Sequence, residues 1–138
     1  MRNLRIAFLG VLVLSVVAAA ADSPIVGTWT ANVHDLPAVK MMVKQSGGKL
    51  SGSIIFYFLI KENGVWRQKG DAPPTEMMNP RLDGDTFSFE VPHAKKHGST
   101  DPADQEIKTM HFHLTAPNEG VFREADNGSD VKLYRRQP

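Results

Sequence analysis

Four histidines are the residues whose type and spacing are best suited to chemistry. His93 and His97 lie close together, and His111 and His113 form a His-x-His sequence on a predicted strand. Because side chains alternate between the two faces of a strand, both imidazoles of His-x-His point to the same face. Imidazole nitrogens bind zinc and copper, so these four histidines define a candidate metal site or metal-dependent enzymatic site.

The residues around the His-x-His sequence favour a solvated pair instead. Met110, Phe112 and Leu114 alternate with His111 and His113, and an apolar series of period 2 marks the buried face of a strand. The two imidazoles are therefore predicted to point outward. The chain also has no serine or cysteine nucleophile motif, no phosphate-binding glycine loop and no signature carboxylate pair. A non-enzymatic protein without a cofactor is the favoured interpretation, with zinc or copper as the alternative.

Turn sequences divide the rest of the chain into short segments. Gly47-Gly48, Asn63-Gly64, Asp83-Gly84 and Asn127-Gly128 each supply residues that a type I′ hairpin turn favours. Between the turns, apolar and polar residues alternate as they do in half-buried strands. No segment has a sustained helical period. Strands are predicted at residues 25–34, 38–46, 49–61, 65–69, 76–82, 85–92, 107–116, 119–126 and 129–136.

The order of these strands predicts the fold class. Hairpins between consecutive strands make neighbours in sequence neighbours in space, which gives a meander. An open meander leaves two exposed edges that invite association, and closure into a barrel removes both. The chain is therefore predicted to be all-β, with a single antiparallel up-and-down (meander) β-barrel of about 8–9 strands. An open sandwich that dimerises across its edges is the alternative.

The N-terminus has the residue order of a secretory signal. Arg2 and Arg5 precede an apolar run that ends in Ala18-Ala19-Ala20-Ala21. This charged, apolar and small-residue order predicts a cleaved signal peptide at residues 1–21 and a barrel domain at residues 22–138. The mature protein is expected to be secreted or periplasmic, with no stable membrane insertion after cleavage.

Charge and cysteine content narrow the function further. Removing Arg2 and Arg5 from the 16 basic residues leaves 14 against 15 acidic residues, which is a net charge of −1. A nearly neutral surface gives no electrostatic basis for binding nucleic acid or an anionic membrane. Cysteine is absent, so an exported domain has no disulfide framework. Its stability is expected to come from burial and backbone hydrogen bonds.

The two ends of the mature chain carry a family resemblance. The chain has Ile25-Val26-Gly27-Thr28-Trp29 on its first predicted strand and Val131-Lys132-Leu133-Tyr134-Arg135-Arg136 on its last. A Gly-x-Trp on the first strand, with a basic residue near the end of the last strand, resembles the calycin barrels, meaning the lipocalins and fatty-acid-binding proteins. The chain is also similar to small secreted bacterial barrel proteins of unknown function.

The calycin resemblance implies a role for two residues in closing the barrel. In that family a terminal guanidinium packs over the first-strand tryptophan and closes one end. Because Arg135 shares the parity of Leu133, it is expected to be the partner of Trp29, with Arg136 as the alternative. An arginine stacked on an indole is a cation–π contact, and the indole is expected to be buried near one barrel end.

The leading hypothesis is a non-enzymatic binding protein. A small apolar molecule is expected to bind in the barrel interior or at its mouth, because apolar side chains of several strands point inward. His93 continues the inward parity of its strand and begins the segment 92–106, a predicted loop near a barrel mouth. The predicted ligand-binding residues are Val39, Met41, Ile54, Phe56, Phe58, Phe87, Phe89, His93, Met110 and Phe112.

One strand supports a different function. Residues 54–60 are apolar on both faces, so one face fills the barrel and the other needs a cover. If inward side chains fill the barrel completely, the protein is a structural or interaction domain that self-associates through this strand. This alternative predicts a homodimer and an exposed patch of Ile55, Tyr57 and Leu59.

Overall fold

A computed structural model of the protein describes residues 21–96, 98–125 and 128–138. The predicted signal peptide, apart from Ala21, and His97 lie outside the described residues. No helix in the described part of the chain is long and apolar enough to cross a membrane. The described residues form the strands β1 (Gly27–Val33), β2 (Leu36–Ser46), β3 (Lys49–Phe56), β4 (Leu59–Glu62), β5 (Val65–Gln68), β6 (Thr75–Glu76), β7 (Met78–Asp83), β8 (Thr86–Ala94), β9 (Gln105–Ala116), β10 (Glu119–Glu124) and β11 (Val131–Arg135), and a 3-10 helix, η1 (Pro102–Asp104).

Nine of the strands form one antiparallel sheet that is nearly closed into a barrel. Its order is β6-β3-β2-β1-β11-β10-β9-β8-β7, so the first and last strands of the chain are neighbours. At the two edges β6 pairs with β3 and β7 pairs with β8, and Met77 alone separates β6 from β7. The Met77 N–H also donates to the Gly52 carbonyl at 2.9 Å. One stretch of chain therefore joins both edges, which confirms the all-β meander barrel over the open sandwich.

Two predicted strands are interrupted. The strand predicted at 49–61 ends at Phe56 and resumes at Leu59 as β4, which pairs with β5 in a separate two-stranded sheet. The strand predicted at 76–82 becomes β6 and β7, because the chain there changes its partner from β3 to β8. The β4–β5 hairpin is therefore an insertion between the barrel strands β3 and β6.

The loop predicted at 92–106 is shorter than expected. β8 runs to Ala94 and β9 begins at Gln105, where these two residues pair. The connection between them is closed locally by η1, since the Asp101 carboxylate accepts a hydrogen bond from the Ala103 N–H at 2.9 Å. Because this turn needs few residues, β8 and β9 stay paired as far as Ala94 and Gln105. The prediction of a segment without strands over residues 92–106 is therefore wrong.

The hairpin turns follow the sequence at two positions and differ at others. Gly47-Gly48 and Asn63-Gly64 have positive φ at both residues, as type I′ turns require. After β7 the turn is Gly84-Asp85, one residue later than expected, with positive φ at Gly84 alone. That pattern indicates a type II′ turn. At the predicted Asn127-Gly128 turn, Gly128 has no positive φ, and Asn127 lies outside the described residues.

The strand directions define two ends of the barrel, which we call the closed end and the open end. The closed end contains the β2–β3, β7–β8 and β9–β10 turns and the N-terminal segment 21–26. The open end contains the β1–β2 turn, the β4–β5 hairpin and the β8–β9 loop. The packed core between them consists of Ile25, Trp29, Ala31, Val39, Met41, Val43, Ile54, Met77, Phe87, Phe89, Val91, Met110, Phe112, Phe122 and Leu133.

Candidate functional site

Most side chains predicted to line a ligand cavity are the core of the barrel. A side chain with no exposed surface touches other atoms on all sides, so no water-sized space lies beside it. This holds for Met41, Ile54, Phe87 and Phe112, which have an exposed fraction of 0%. The predicted lining residues that are exposed by 7% or less are Val39, Met41, Ile54, Phe87, Phe89, Met110 and Phe112. These seven side chains fill the barrel, so a ligand among them would have to displace packed core.

Trp29 plugs the closed end of the barrel. Its indole is fully buried, and its Nε1–H donates to the Ile25 carbonyl at 2.9 Å. The Phe112 ring meets the indole edge-on, with the ring centroids 4.8 Å apart. A buried indole needs a hydrogen-bond partner for its polar atom, and the N-terminal segment supplies it. The chain before β1 is therefore part of the plug.

Arg135 holds the same segment from outside. Its guanidinium carbon lies 4.3 Å from the centroid of the Trp29 ring, which is the contact that the calycin resemblance implies. Its Nε–H donates to the Pro117 carbonyl at 3.2 Å, and its terminal nitrogens donate to the carbonyls of Pro24 and Val26. One side chain thus ties three chain segments together over the indole.

Phe56 brings the aromatic core to the open end. It shares the inward parity of Ile54 and pairs with Val39 in the β2–β3 register, yet 44% of its surface is exposed. Its ring centroid lies 6.0 Å from that of Phe122, which in turn lies 6.3 Å from that of Phe89. The three rings form a series that begins in the packed core and ends at an accessible aromatic surface.

Other exposed apolar side chains lie around this ring. Within the described residues the exposed large apolar side chains are Val33, Phe56, Phe58, Val65, Ile107 and Tyr134. All but Tyr134 lie on strands or segments next to the open end. Exposed apolar side chains that occur singly are ordinary, but a concentration at one end of a barrel is typical of a contact surface.

The β4–β5 hairpin is fastened to the open end by a ring contact. The His34 and Trp66 rings stack with centroids 4.4 Å apart and planes 11° from parallel. His34 and Asp35 form the β1–β2 turn with φ of 51° and 60°, a left-handed conformation in which histidine and aspartate occur more often than most other residues. The stack on Trp66 holds the hairpin beside this turn.

A charged cluster forms the opposite side of the open end. Lys108 shares the inward parity of Met110, and its ammonium lies 2.9 Å from a Glu124 carboxylate oxygen and 3.4 Å from a Glu106 carboxylate oxygen. Glu124 continues the inward series of Phe122 on β10. A hydrogen bond to Glu124 and a weaker one to Glu106 hold the pKa of Lys108 above its usual value of 10.5. The opening therefore has an aromatic side on β3 and a charged side on β9 and β10.

The raised pKa of Lys108 predicts a pH-dependent contribution to stability. A group whose pKa is higher in the folded state stabilises the fold fully below pH 10.5 and loses that contribution as the pH rises through the folded-state value. Lys108→Met is expected to lower the urea midpoint at about pH 8 and to have a smaller effect at a pH above 10.5. Lys132→Met, which removes a longer contact to Glu119 of 3.6 Å, is the matched control. An equal loss for Lys108→Met at both pH values would contradict the assignment.

The histidines do not gather into one site among the described residues. His111 and His113 lie on the outer face of β9, where their Nδ1 atoms share hydrogen bonds with the Ser88 hydroxyl at 2.8 Å and the Thr86 hydroxyl at 3.1 Å. His93 is exposed on the inward series of β8 at the open end. The part of the chain that the structure describes has no group of three or more metal-binding side chains. Because His97 lies outside the described residues, the zinc or copper alternative stays a prediction.

The strand predicted to mediate self-association exposes different side chains from those expected. Ile55, Tyr57 and Leu59 are all half-buried, whereas Phe56 and Phe58 are exposed. The patch predicted on the outer face therefore does not form as expected. The exposed apolar surface of this segment belongs to the open end.

Several open-end residues were not predicted from the sequence. Phe122 follows Val121, and two adjacent apolar residues leave the inward side of β10 undefined. Lys108, Glu106 and Glu124 occupy inward-facing positions, but their charge predicts that they are exposed to solvent. The β9–β10 register, with Glu124 opposite Met110, is the information that identifies them.

Comparison of the chain with protein-family models, curated proteins and solved structures found no match.

Proposed function

We propose that the protein is an exported, calycin-like, non-enzymatic binding protein that holds a small apolar molecule at the open end of its barrel. The observation that carries this proposal is the Phe56 ring, which belongs to the inward aromatic series but is 44% exposed. The filled interior and the plugged closed end support the same position for the ligand. A bound molecule would lie on Phe56 and extend the ring series that starts at Phe89.

The energetics of this contact set the expected affinity. Burying a phenylalanine side chain completely contributes about 1.5–3 kcal/mol, so covering the exposed part of Phe56 contributes roughly 1 kcal/mol. Val33 and Phe58 add apolar surface next to the same opening. A small ligand on this surface is expected to bind in the micromolar to millimolar range, about −4 to −8 kcal/mol.

The calycin comparison rests on the two chain ends and on the plug. A tryptophan under a terminal arginine closes one end of the barrel in calycins, and Trp29 and Arg135 have that arrangement here. A barrel closed at one end presents its opposite end to ligands. Export to the periplasm or the medium, as the N-terminal sequence predicts, would place this surface in contact with extracellular molecules.

Fluorescence titration with the neutral probe N-phenyl-1-naphthylamine tests the proposal on the exported protein. Phe56→Ser is expected to weaken binding by about tenfold, which corresponds to about 1.4 kcal/mol. Tyr134→Ser, which changes an exposed aromatic residue on β11 away from the open end, is the matched control and is expected to bind as the wild type does. Equal affinity in both variants would remove Phe56 from the site.

Sedimentation velocity on the same samples separates ligand binding from self-association. A monomer that binds the probe supports the proposal. A dimer that dissociates in the Phe56→Ser variant and does not bind the probe would instead assign the open-end surface to a second copy of the chain.

A further inference from the structure

A cleft at the closed end of the barrel is separate from the open-end site. Its volume is about 590 Å³, which is within the range of small-molecule clefts. Its walls come from the region of the β2–β3 turn, from β7 and from the N-terminal segment. Leu50 and Leu82 contribute apolar surface to it, and both pack on the barrel core from their other side.

The charged side chains of this cleft have one sign. Lys49 and Arg81 line it, and no carboxylate is among its lining residues. Neither cation forms an ion pair within the described residues, whose ion pairs involve other lysines and arginines. Two unpaired cations beside apolar surface create a region of positive potential in a protein whose overall charge is nearly balanced.

One uncharged side chain of the cleft also has an available donor. The Gln45 Oε1 accepts a hydrogen bond from the Ser23 N–H at 2.7 Å, which leaves the Gln45 amide nitrogen to donate elsewhere. The Ser23 hydroxyl oxygen has almost no accessible surface, so it lies behind the cleft surface and does not contact a ligand there.

We propose that this cleft binds a small organic anion. Its carboxylate or phosphate oxygens accept hydrogen bonds from Lys49 and Arg81, and the Gln45 amide nitrogen supplies a further donor. The apolar part of the ligand lies on Leu50 and Leu82. Two cations and an amide donor, with no carboxylate beside them, select for an anion, and the cleft is large enough for more than the anionic group itself.

Calorimetric titration of the exported protein with hexanoate and, separately, hexyl phosphate tests this proposal and distinguishes the two anionic groups. At least one of them is expected to bind saturably at about millimolar concentration, and hexanol, the neutral matched probe, at least about tenfold more weakly. Lys49→Met/Arg81→Met is expected to weaken anion binding by about tenfold or more. Lys61→Met/Arg67→Met removes two exposed cations from the β4–β5 hairpin and is expected to leave binding unchanged.

Three results overturn the proposal: no saturable binding of either anion, hexanol binding as tightly as the anions, or equal weakening in the control variant. Unchanged thermal midpoints show that each variant is folded. All of these titrations use the Phe56→Ser background, which removes the open-end site, so they succeed or fail independently of the open-end proposal.

Discussion

Replacing Trp29 with alanine is expected to lower the free energy of unfolding by about 3–5 kcal/mol. The indole is fully buried, contacts Phe112 edge-on and bonds through Nε1 to the Ile25 carbonyl. Its removal leaves a cavity in the closed end and an unpaired carbonyl, and the surrounding strands cannot collapse into that space. Urea denaturation followed by far-ultraviolet circular dichroism measures the loss.

Arg135→Ala is the companion variant for this prediction. It removes a contact to the Trp29 ring of about 0.5–2 kcal/mol and the hydrogen bonds to the N-terminal segment, but it leaves the indole in the core. It is therefore expected to cost less than Trp29→Ala. A loss below about 1 kcal/mol for Trp29→Ala, or a larger loss for Arg135→Ala, would contradict the role of the indole as the plug.

Gly120→Ala is expected to destabilise the fold by about 1–3 kcal/mol, although it adds a single methyl group. A Cβ at Gly120 would lie 2.3 Å from the Phe112 Cζ, 2.5 Å from its Cε2 and 2.8 Å from the His113 carbonyl oxygen. Phe112 is fully buried and has no adjacent space to move into. Gly120 has no positive φ, so the cost comes from steric overlap and not from backbone strain.

A double-mutant cycle separates this steric effect from other causes. Phe112→Leu shortens the side chain that the new methyl group would strike, so Gly120→Ala/Phe112→Leu is expected to lose less stability than the sum of the two single variants. The expected coupling is about 0.5–3 kcal/mol. Additivity of the two changes, measured by urea denaturation, would show that Phe112 does not cause the loss.

Alternation and turn chemistry predict most of the barrel. The inward series of β8 and β9, which contain Phe87, Phe89, Met110 and Phe112, follow from period 2 alone, because one face of each strand is wet. The break after Phe56 does not follow, since the sequence stays apolar through residue 60. β2 continues to Leu36, beyond the last β3 pair of Val39 with Phe56, so the end of β3 depends on where the chain leaves β2, which a single segment does not show.

The open-end site was less predictable than the core for the same reason. Phe56 was predicted as an inward residue, but its exposure depends on how far the surrounding strands extend beyond it. Lys108 occupies an inward position because two carboxylates on its own and the next strand meet its ammonium, and that pairing needs the register. The contact between Trp29 and Arg135 links residues at opposite ends of the chain, and only the family resemblance suggested it.

An amide-shift titration by NMR of the ¹⁵N-labelled exported protein with N-phenyl-1-naphthylamine tests the open-end site most directly. We expect saturable shifts around Phe56, Phe122 and Val33, with the Trp29 indole N–H and the His111 region unchanged, because the ligand lies on the open end of a filled barrel. Shifts centred on the Trp29 indole or on the outer face of β9, or no saturable shifts at all, would contradict it.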